Sequence, residues 1–582
     1  LVKFDFLGLK TLTVINKTQK LVESINPNFK IETINYEDHK VFDLLSSGKT
    51  VGLFQLESSG MKDALINMKP NHLEDIIALV ALYRPGPMSN IPIYNDCKHG
   101  KREPDYLHPI LEEILKPTYG VIIYQEQVMQ IAQVLSGFTA GEADILRRAM
   151  GKKKRAELEK QKERFVEGAH KNGISKDIAA GIFLKIEPFA EYGFNKSHAA
   201  AYAIISYQTA FLKTYYPKEF FAASMSMDIS NQNKLSEFYE ELKRLDIKVL
   251  RPDINECFAD FRTDDKKFYY ALGSIKAVGY DAIFNIITER EKNGKFKNIN
   301  DFLNRVSPKD INKLQLEGLV KAGAFDNLNS NRNSLFLSIP NLIKKSKNMF
   351  ENKSANQIDL FGENENQENE IILNVEDWKF EERLSKEFEA VGFFISDHPL
   401  NQYKDIYSDY NILNYQNFID KNEFKEENIA ATLLKIQERK TSKGTPYGVL
   451  KLTDLSSVFE LFIFSDILEL NREILKEGTS LFLTLVKSLS NEENRFKRIN
   501  VQKIASLNDL INKPIEEVIF NLKSLRELNE ISKHLPQKGE TLIKIKLSDD
   551  KNHFRFQLKN KRNIDRKTIN LLRNKQISAI IS

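Results

Sequence analysis

Residues 125–155 read QEQVMQIAQVLSGFTAGEADILRRAMGKKKR, and the spacing of their apolar side chains decides the class of this part of the fold. Four apolar residues recur at intervals of three and four, which predicts one helix over Gln125–Ser136. They are Val128, Ile131, Ala132 and Leu135. Thr139 and Glu142 have the spacing of a capping box, so a second helix is expected to begin there and to continue into a basic cluster.

Helical spacing extends outward over most of residues 40–250, which we expect to be mainly helical. Ser197 is expected to cap an alanine-rich helix that ends near Tyr216, directly before Pro217. Residues 1–6 alternate apolar and charged side chains, which predicts a strand at the start of the chain.

The second half of the chain changes character three times. Residues 265–330 predict a hairpin containing Gly273 and Gly279 between apolar helices, with another apolar helix pair behind it. Residues 344–377 are rich in Asn, Glu and Lys and read as a linker. Residues 428–505 hold five short strands with one helical interruption, which predicts a barrel of the OB type. We therefore expect a multidomain α+β protein, largely α-helical at first, then an all-β OB-type barrel and a small α/β tail.

Composition limits the possible functions only loosely. The 582 residues carry a formal net charge of +5, so a nucleic-acid surface has to come from local clusters. Cys97 and Cys257 lie far apart in no C-x-x-C pattern, which indicates a reducing compartment and argues against a structural zinc site. No run of about 18 apolar residues occurs, so a membrane span is not expected. Because the first residue is Leu1, we expect a piece of a longer protein.

Lys3 and Asp5 lie on one face of the expected first strand, opposite its apolar residues. One interpretation is an isolated surface ion pair, which contributes little to stability. The other is a phosphoryl-transfer site, where a carboxylate binds a divalent ion and a lysine neutralises phosphate oxygens. A two-metal site needs further acids, and no D-x-D or E-x-D pair occurs in an apolar strand of this chain. Asp5 is therefore either a surface residue or part of a site whose other acids precede Leu1.

The basic cluster LRRAMGKKKR, residues 146–155, is the second candidate site. Its candidate ligand-binding residues are Arg147, Arg148, Lys152, Lys153 and Lys154. A solvated helix end explains them, since cations near a helix C-terminus interact favourably with the dipole. The alternative is contact with a polyphosphate or nucleic acid, because guanidinium groups bind phosphate in a forked geometry. Adjacent arginines leave a helix on different sides, so one of them can point at a ligand.

Three further segments could bind a nucleotide or DNA. The first segment is a predicted helix start, and helix starts attract anions, although a capped helix without a ligand is the alternative. Its residues are Asn195, Lys196, Ser197 and His198. A helix-hairpin-helix grips DNA phosphates, although an ordinary helix pair is the alternative; its residues are Gly273, Lys276 and Gly279. The first hairpin of the barrel offers a surface for single strands or for another ligand through Arg439, Lys440 and Lys443.

The pentapeptide QIDLF, residues 357–361, lies inside the expected linker. Leu360 and Phe361 have no periodic apolar neighbours to pack with. A short linear motif that docks in a pocket of another protein accounts for them, and their position in a linker favours this over chance.

Seven blocks of the sequence resemble one protein family, in the same order. They are VKFDFLGLKTLTVI, VGLFQLESSGM, ALYRPGPM, YGVIIYQEQVMQIA, LRRAMGKKK, YGFNKSHAAAYA and FFISDHPL. The chain resembles the C-terminal half of the alpha subunits of bacterial DNA polymerase III, the C-family replicative DNA polymerases. The resemblance covers nearly the whole chain and weakens after about residue 505.

The resemblance implies DNA-templated DNA synthesis, in which a primer 3′-oxygen attacks a dNTP with the help of two Mg²⁺ ions. Asp5 matches the third catalytic aspartate of the palm, a Mg²⁺ ligand, and Lys3 matches a lysine that contacts the triphosphate. Arg147 and Arg148 match residues of the fingers that bind the triphosphate. The segment 195–198 matches one that lies near the nucleotide and the template.

The resemblance also implies partners. They are primer–template DNA, dNTP, the sliding clamp, and the clamp-loader and proofreading subunits, all in the cytoplasm. Gln357, Leu360 and Phe361 match the anchors of the clamp-binding peptide. In the family two palm aspartates precede Asp5, so we expect this chain alone to bind DNA and the clamp without extending a primer, which a primer-extension assay tests.

The family's domain order divides the chain into seven parts. They are 1–8 (last palm strand), 9–250 (fingers), 251–343 (helix-hairpin-helix region), 344–377 (linker with the clamp peptide), 378–427 (connecting region), 428–505 (OB domain) and 506–582 (C-terminal domain). Two other functions remain open from the residues: a non-catalytic scaffold that binds DNA and the clamp, and the error-prone paralogue of the same family.

Overall fold

The protein folds as two compact units. The computed structural model describes residues 8–151, 155–354, 372–421, 425–489, 497–536, 538–548 and 553–581. The first unit contains the described residues up to Leu250 together with Cys257–Ala271. The second contains Arg251–Glu256 and the described residues from Leu272 onward. The strand expected over residues 1–6 lies outside the described residues. Within the described ranges, no helix is both long and apolar enough to cross a membrane.

The first unit is mainly helical, as its periodicity predicts. Helices α1 to α13 are Lys10–Glu23, His39–Ser46, Ser59–Met68, Leu73–Leu82, Ile91–Lys98, Glu112–Leu115, Gln125–Ser136, Ala140–Gly151, Arg155–Lys171, Lys176–Tyr192, Lys196–Tyr215, Pro217–Met227 and Gln232–Arg244. Short 3₁₀ helices are Ile31–Thr33, Pro87–Asn90, Pro109–Leu111 and Lys116–Thr118. A small sheet is made of β1 to β3, which are Val249–Leu250, Arg262–Thr263 and Phe268–Tyr269.

Helices α7 to α10 enclose a core of their own. The apolar residues predicted to face the core from α7 are all buried in it, including Val128, Ile131 and Leu135. Phe165 of α9 packs edge-on against Phe183 of α10, with ring centroids 5.4 Å apart. This packing holds α7 next to α8, and both helices carry candidate functional residues.

The starts of two helices show which capping predictions hold. The capping box is confirmed, since the N–H of Thr139 donates to Oε2 of Glu142 at 2.8 Å and the N–H of Glu142 donates to Oγ1 of Thr139 at 3.3 Å. The predicted cap at Ser197 is wrong, because α11 begins before it and its cap is Asn195. The side-chain oxygen of Asn195 accepts from the N–H of His198 at 2.9 Å, and Asn caps a helix as well as Ser does.

The second unit combines helices with two larger sheets, and the two units together confirm the multidomain α+β class. Helices α14 to α23 are Tyr280–Asn293, Ile299–Arg305, Lys313–Lys321, Arg332–Ser354, Phe380–Val391, Tyr415–Asp420, Ser465–Asn471, Leu507–Asn512, Leu525–Ser532 and Arg566–Asn574. Strands β4 to β13 are Ile412–Leu413, Glu427–Lys440, Pro446–Thr453, Val458–Phe464, Ser480–Leu489, Lys497–Ser506, Glu517–Leu522, Leu542–Ser548, His553–Gln557 and Ser578–Ile581. Short 3₁₀ helices are Leu272–Ser274 and Pro399–Ile406.

Strands β5 to β9 form the sheet predicted for residues 428–505, in the order β7-β6-β5-β8-β9, and β4 pairs with β5. Neighbouring strands from β7 to β9 are antiparallel, and α20 follows β7. Leu433, Leu461 and Leu483 are among the side chains that build its core. The predicted barrel does not close in the described residues, because β7 pairs with β6 alone and β9 with β8 alone. OB barrels are often partly open at this point.

The last sheet has the order β12-β11-β10-β13. Strands β10 and β11 are parallel, and α22 lies between them in the chain. Parallel neighbours need a crossover connection, which this helix supplies. Phe520, Ile545 and Leu572 are buried in its core, so the small α/β tail is confirmed.

The linker predicted over residues 344–377 is shorter than expected. Residues up to Ser354 continue helix α17, and the chain packs on the same helix again at Leu373. The backbone N–H of Leu373 donates to Oγ of Ser338 at 2.8 Å. Polar side chains on α17 thus supply hydrogen-bond partners for the extended backbone near Leu373. The composition of residues 344–377 did not reveal these contacts. The pentapeptide at 357–361 lies outside the described residues.

The hairpin at residues 275–279 differs from its prediction in two ways. It follows a short strand and a 3₁₀ helix instead of an α-helix. The residue with a left-handed backbone conformation is Ala277, with φ of 63°. Gly279 has φ of −75° and directly precedes α14. The glycine that packing requires is Gly318 of α16, where an added Cβ would lie 2.9 Å from the carbonyl oxygen of Lys276. A missing side chain at that point lets α16 approach the hairpin closely.

Ala277→Gly should stabilise the protein by about 0.5–1 kcal/mol. Glycine adopts a positive φ without a Cβ clash, and Ala277 is exposed, so no packing is lost. Urea unfolding followed by circular dichroism measures the change. Ala201→Gly is a matched control, because Ala201 is exposed inside α11, where glycine should destabilise by about 1 kcal/mol. Equal destabilisation by both substitutions would contradict the left-handed turn.

Candidate nucleotide-binding site

Helices α7 and α11 begin side by side. Phe194 runs parallel to Tyr124, and its N–H donates to the carbonyl of Ile123 at 3.1 Å. The N–H of Gln125 donates to the carbonyl of Phe194 at 3.0 Å. Two segments that are far apart in the sequence therefore meet, and the residues that start both helices lie next to each other.

Gln127 holds the chain before α7 from the inside. Its buried side chain accepts from the N–H groups of Ile123 at 2.8 Å and Tyr124 at 3.0 Å. Its amide nitrogen donates to the hydroxyl of Thr118 at 2.8 Å. Buried polar groups are costly when unpaired, so these bonds set the position of the first turn of α7.

Glu126 joins the two helix starts through its side chain. Its carboxylate accepts from Nδ2 of Asn195 at 2.8 Å and from the backbone N–H of Lys196 at 3.0 Å. A carboxylate is favourable there, because the unpaired N–H groups and the dipole of a helix start attract negative charge. The sequence did not predict Glu126 as a site residue, since one glutamate on an amphipathic helix carries no signal of a distant partner.

Arg147 and Arg148 of α8 converge on one carboxylate. Arg147 donates to Oδ1 of Asp144 from Nε at 3.0 Å and from Nη2 at 2.7 Å. Arg148 lies with its Nη2 2.6 Å from Oδ2 of the same aspartate. Adjacent residues leave a helix in different directions, yet both reach back to Asp144, which precedes them by three and four positions. The hydrogen bond from Arg147, followed by the charge of both arginines, lowers the pKa of Asp144.

Gln125 connects the arginine pair to the joined helix starts. Its Oε1 accepts from Nη1 of Arg147 at 3.3 Å, while its own N–H is bonded to Phe194. A chain of direct contacts thus runs from α8, through the first turn of α7, to the cap of α11. Lys196 adds a cation there, with Nζ 5.5 Å from the ring centroid of Tyr124.

A row of aromatic side chains in contact extends along the start of α11. The guanidinium of Arg84 lies 4.7 Å from the ring centroid of Phe194, which is 5.3 Å from that of the exposed His198. The rings of His198 and Tyr202 are 4.4 Å apart. Burial lowers the pKa of Arg84. Sequence reasoning missed Arg84 as a site residue, because no helical or strand spacing relates it to α11.

The predicted DNA-binding hairpin lies in the second unit. Lys276 and Gly279 are exposed, whereas Gly273 is half-buried in the 3₁₀ helix before them. The N–H of Lys276 donates to the carbonyl of Ala390 at 2.9 Å, which ties the turn to α18. The hairpin is thus held by its own unit on one side and presents its turn on the other.

The β-sheet of the second unit presents basic and aromatic side chains on one face. Arg439 lies opposite Tyr447 across the β5–β6 pair, and Tyr447 lies opposite Phe464 across the β6–β7 pair. Directly opposite residues point to the same face of a sheet. Phe462 and Phe464 are 54% and 48% exposed, which is unusual for phenylalanine. The exposed basic residues of the β5–β6 hairpin are Arg439, Lys440 and Lys443.

Two parts of the chain match known protein families. Residues 11–173 match the bacterial DNA polymerase III alpha subunit finger domain, and residues 246–335 match a helix-hairpin-helix motif. DNA polymerase III subunit alpha of Borreliella burgdorferi is 41% identical over 544 residues, which cover 91% of this chain and 47% of that protein. The subunits of Caulobacter vibrioides and Escherichia coli are each 40% identical, covering 90% and 83% of this chain and 45% and 43% of those proteins.

The chain belongs to the family of bacterial DNA polymerase III alpha subunits. The resemblance read from the seven sequence blocks is thereby confirmed. The chain spans about half the length of the alpha subunits it matches. The finger-domain match includes Gln125, Glu126 and the arginine pair, whereas Asn195 lies beyond it. The joined helix starts therefore bring a segment outside that match against the matched part of an alpha subunit.

The structure brings four of the predicted nucleotide-binding residues into one connected cluster. Gln125 and Glu126 link Arg147, Asn195 and Lys196, and Arg148 joins them through the Asp144 that it shares with Arg147. The predicted residues outside the described ranges are Lys3, Asp5, Lys152, Lys153, Lys154, Gln357, Leu360 and Phe361. Across the described part of the chain, no three His, Cys, Asp or Glu side chains are grouped to hold a metal ion.

Asn195→Ala should lower the free energy of unfolding by about 1 kcal/mol, because α11 loses the side chain that caps it. Ser197→Ala, at the position first expected to be the cap, should change it by less than about 0.5 kcal/mol. Urea unfolding of both variants, followed by tyrosine fluorescence, measures the difference. A larger loss for Ser197→Ala than for Asn195→Ala would overturn the assignment of the cap.

Proposed function

We propose that the whole protein synthesises DNA on a DNA template, transferring nucleotides from dNTP to a primer 3′-hydroxyl, and that this chain carries dNTP-binding and DNA-binding parts of it. The observation that carries the proposal is the connected cluster of cations and helix starts, of which Gln125, Glu126 and the arginine pair lie within the finger-domain match. We further propose residues 9–250 as the fingers, 251–343 as the helix-hairpin-helix region, 428–505 as the OB domain and 506–582 as the C-terminal domain.

In this proposal Arg147, Arg148 and Lys3 neutralise the triphosphate of the incoming dNTP. Guanidinium groups suit this role because they donate several hydrogen bonds to phosphate and keep their charge. The first turn of α11 adds the exposed side chains of residues 195–198, while its N–H groups at Lys196 and His198 already donate to Glu126 and Asn195. The exposed ring of His198, tilted by 34° against that of Tyr202, offers a flat surface to a base.

Mg²⁺ is proposed as the metal cofactor on the family resemblance and on Asp5 alone. The described residues contain no cluster of ligands for a metal ion, and Asp5 lies outside them. We therefore derive no catalytic step through the metal from this chain. What its described residues can do is bind and orient the charged part of the nucleotide.

Arg148→Ala should weaken the binding of dATP to the 582-residue chain by about tenfold, the effect of losing one charge-assisted hydrogen bond to phosphate. In the whole protein it should raise the KM for dNTP. Titration calorimetry with dATP measures the binding constant. Arg164→Ala is the control, because Arg164 belongs to the same helical core but is bonded to Glu142. Unchanged dATP binding by Arg148→Ala would favour a non-catalytic scaffold.

Primer–template DNA is the second proposed ligand. The hairpin with Lys276 and Gly279 would contact the phosphate backbone of a duplex, because its exposed turn leads into the N-terminus of α14. Gly273, in the preceding 3₁₀ helix, would act through the shape of the turn. Lys152, Lys153 and Lys154, which belong to the proposed fingers, would add positive charge for DNA.

The sheet face that carries Arg439 is proposed to bind single-stranded DNA, with Lys440 and Lys443 adding positive charge at the end of the β5–β6 hairpin. Single-strand binders combine positive charge along the backbone with aromatic rings on which bases stack. Tyr447 and Phe464 supply such rings next to Arg439. This face is on the strands that OB folds use for oligonucleotides.

Phe464→Ala should weaken binding of a fluorescent oligo-dT by about tenfold, since a stacked base contributes about 1–3 kcal/mol. Fluorescence anisotropy at fixed salt measures the dissociation constant. Leu470→Ala is the control, because Leu470 is an 85% exposed apolar residue on α20, outside the strands that carry the proposed face. Equal effects of both substitutions would remove the face as the binding surface.

Clamp-loader and proofreading subunits are proposed as partners from the family resemblance alone. The sliding clamp is the third proposed partner, bound through Gln357, Leu360 and Phe361. The contacts of Leu373 on α17 support this proposal, because they anchor the described chain on both sides of the peptide to one helix. Anchored ends would keep the peptide near the DNA-binding region.

Replacing both Leu360 and Phe361 by Ala should abolish binding to a purified sliding clamp, because two apolar anchors supply most of the energy of such a peptide. The affinity for DNA without the clamp should not change. Surface plasmon resonance with immobilised clamp measures the first, and anisotropy with labelled DNA measures the second. Clamp affinity that survives the double substitution would reject the motif.

A further inference from the structure

Asp144 occupies the edge of Arg147 that phosphate would use. A guanidinium binds a two-oxygen anion best through Nε and one Nη, which point the same way. In Arg147 both of these donate to Oδ1 of Asp144, at 3.0 and 2.7 Å. Nη1 donates to Gln125 at 3.3 Å, so three of the five N–H directions already have protein partners.

Arg148 shares the same carboxylate. Its Nη2 is 2.6 Å from Oδ2 of Asp144, so both carboxylate oxygens are in use. The side chain of Arg148 is nevertheless 65% exposed, against 29% for Arg147 and Asp144. An anion from solvent can therefore reach Arg148 directly, whereas the Nε–Nη2 edge of Arg147 is already occupied by Asp144.

We propose that Asp144 is an internal competitor of the nucleotide: it holds Arg147 and Arg148 in the free protein and lowers their affinity for the triphosphate, which has to displace it. This inference rests on the proposed function, in which the two arginines bind the triphosphate. Carboxylate and phosphate cannot share the Nε–Nη2 edge of Arg147, and the two anions repel each other when both are close.

The alternative role for Asp144 is to orient the arginines for the nucleotide. Arg147 does not depend on Asp144 alone for its orientation, because Gln125 also holds it. Arg148 is mostly solvent-exposed, and an exposed pair of this kind orders its side chains only weakly. Competition and orientation predict opposite effects of removing the charge, so one substitution separates them.

The test measures binding of dATP, and of sodium triphosphate, to the 582-residue chain by titration calorimetry at low salt. Asp144→Asn should increase the affinity about threefold or more, because the arginine edges become available while the volume of the side chain is kept. Asp144→Glu, which keeps a carboxylate, should bind like the unsubstituted chain.

Glu142→Gln is the matched control. It removes the same charge from the same helix, but Glu142 is bonded to Arg164 at 3.0 Å, and Gln preserves the capping box. Its affinity should stay within about 1.5-fold of the unsubstituted chain. Circular dichroism and thermal melting establish that each variant is folded, and Asp144→Ser provides a second neutral variant if Asp144→Asn melts early.

Three outcomes overturn the competitor role. Weaker binding by Asp144→Asn means that Asp144 orients the arginines. Equal gains in Asp144→Asn and Glu142→Gln mean a general effect of charge. If Asp144→Asn and Asp144→Ser both bind dATP with unchanged affinity while Arg148→Ala still binds it more weakly, the competitor role is rejected and the proposed function stands. If Arg147→Ala and Arg148→Ala both bind dATP normally, the proposed function itself fails.

Discussion

The joint between the starts of α7 and α11 is the constraint on which the candidate nucleotide site depends. Main-chain bonds of Phe194 to Ile123 and Gln125 bring the two segments together. Glu126 then bonds the cap of α11, and buried Gln127 fixes the approach to α7. Because the site is built on helix starts that are bonded to each other, its cations and N–H groups have defined positions before a ligand arrives.

Each described cation of the site contacts another group of the protein, and solvent exposure determines which of these contacts a ligand can displace. Lys213 and Glu241 in the first unit are 1% and 4% exposed, so their pairing is purely structural. Burial lowers the pKa of Lys213, although its bond to Glu241 opposes this. The arginines on Asp144 are much more accessible, at 29% and 65%. Solvent access therefore separates a structural ion pair from one that an anion can enter.

Ion pairs with little solvent exposure also join separate segments of the second unit. Arg332 is 4% exposed and bonds Asp326 at 2.7 Å, while Glu387 of α18 lies 3.6 Å from the same guanidinium. The carboxylate of Asp409 likewise holds Arg566 and Arg573, which joins the segment before β4 to the last helix. These ion pairs tie helices and sheets of different regions into one compact unit. The surfaces proposed for DNA lie outside them, on an exposed turn and an exposed sheet face.

Features that depend on a few neighbouring residues were predictable. Helix α7 has the predicted bounds, and the capping box of α8 is formed by the predicted pair, because both depend on residues within four positions of each other. The strands within residues 428–505 and the α/β tail follow from the same local patterns. Prediction failed where two local solutions competed. Asn195 and Ser197 are both good caps, and the turn of the hairpin places a positive φ on Ala277 although glycines stand nearby.

The sequence by itself determined the family, the helical nature of the first half, and the arginine pair and helix start as candidates for the nucleotide. Long blocks of residues in a fixed order carry that information, and it needs no distances. Only the tertiary structure decided that Glu126 bonds Asn195, that Arg84 stacks on Phe194, and that Asp144 takes both arginines. The first two contacts join segments far apart in the chain, and the third depends on side-chain directions on a helix surface. Periodicity within one segment does not encode the first two contacts, because it specifies which face of a helix is buried and not which distant residue packs against the other face. The third contact has the spacing of helix neighbours, and only the structure shows that Asp144 pairs with both arginines at once.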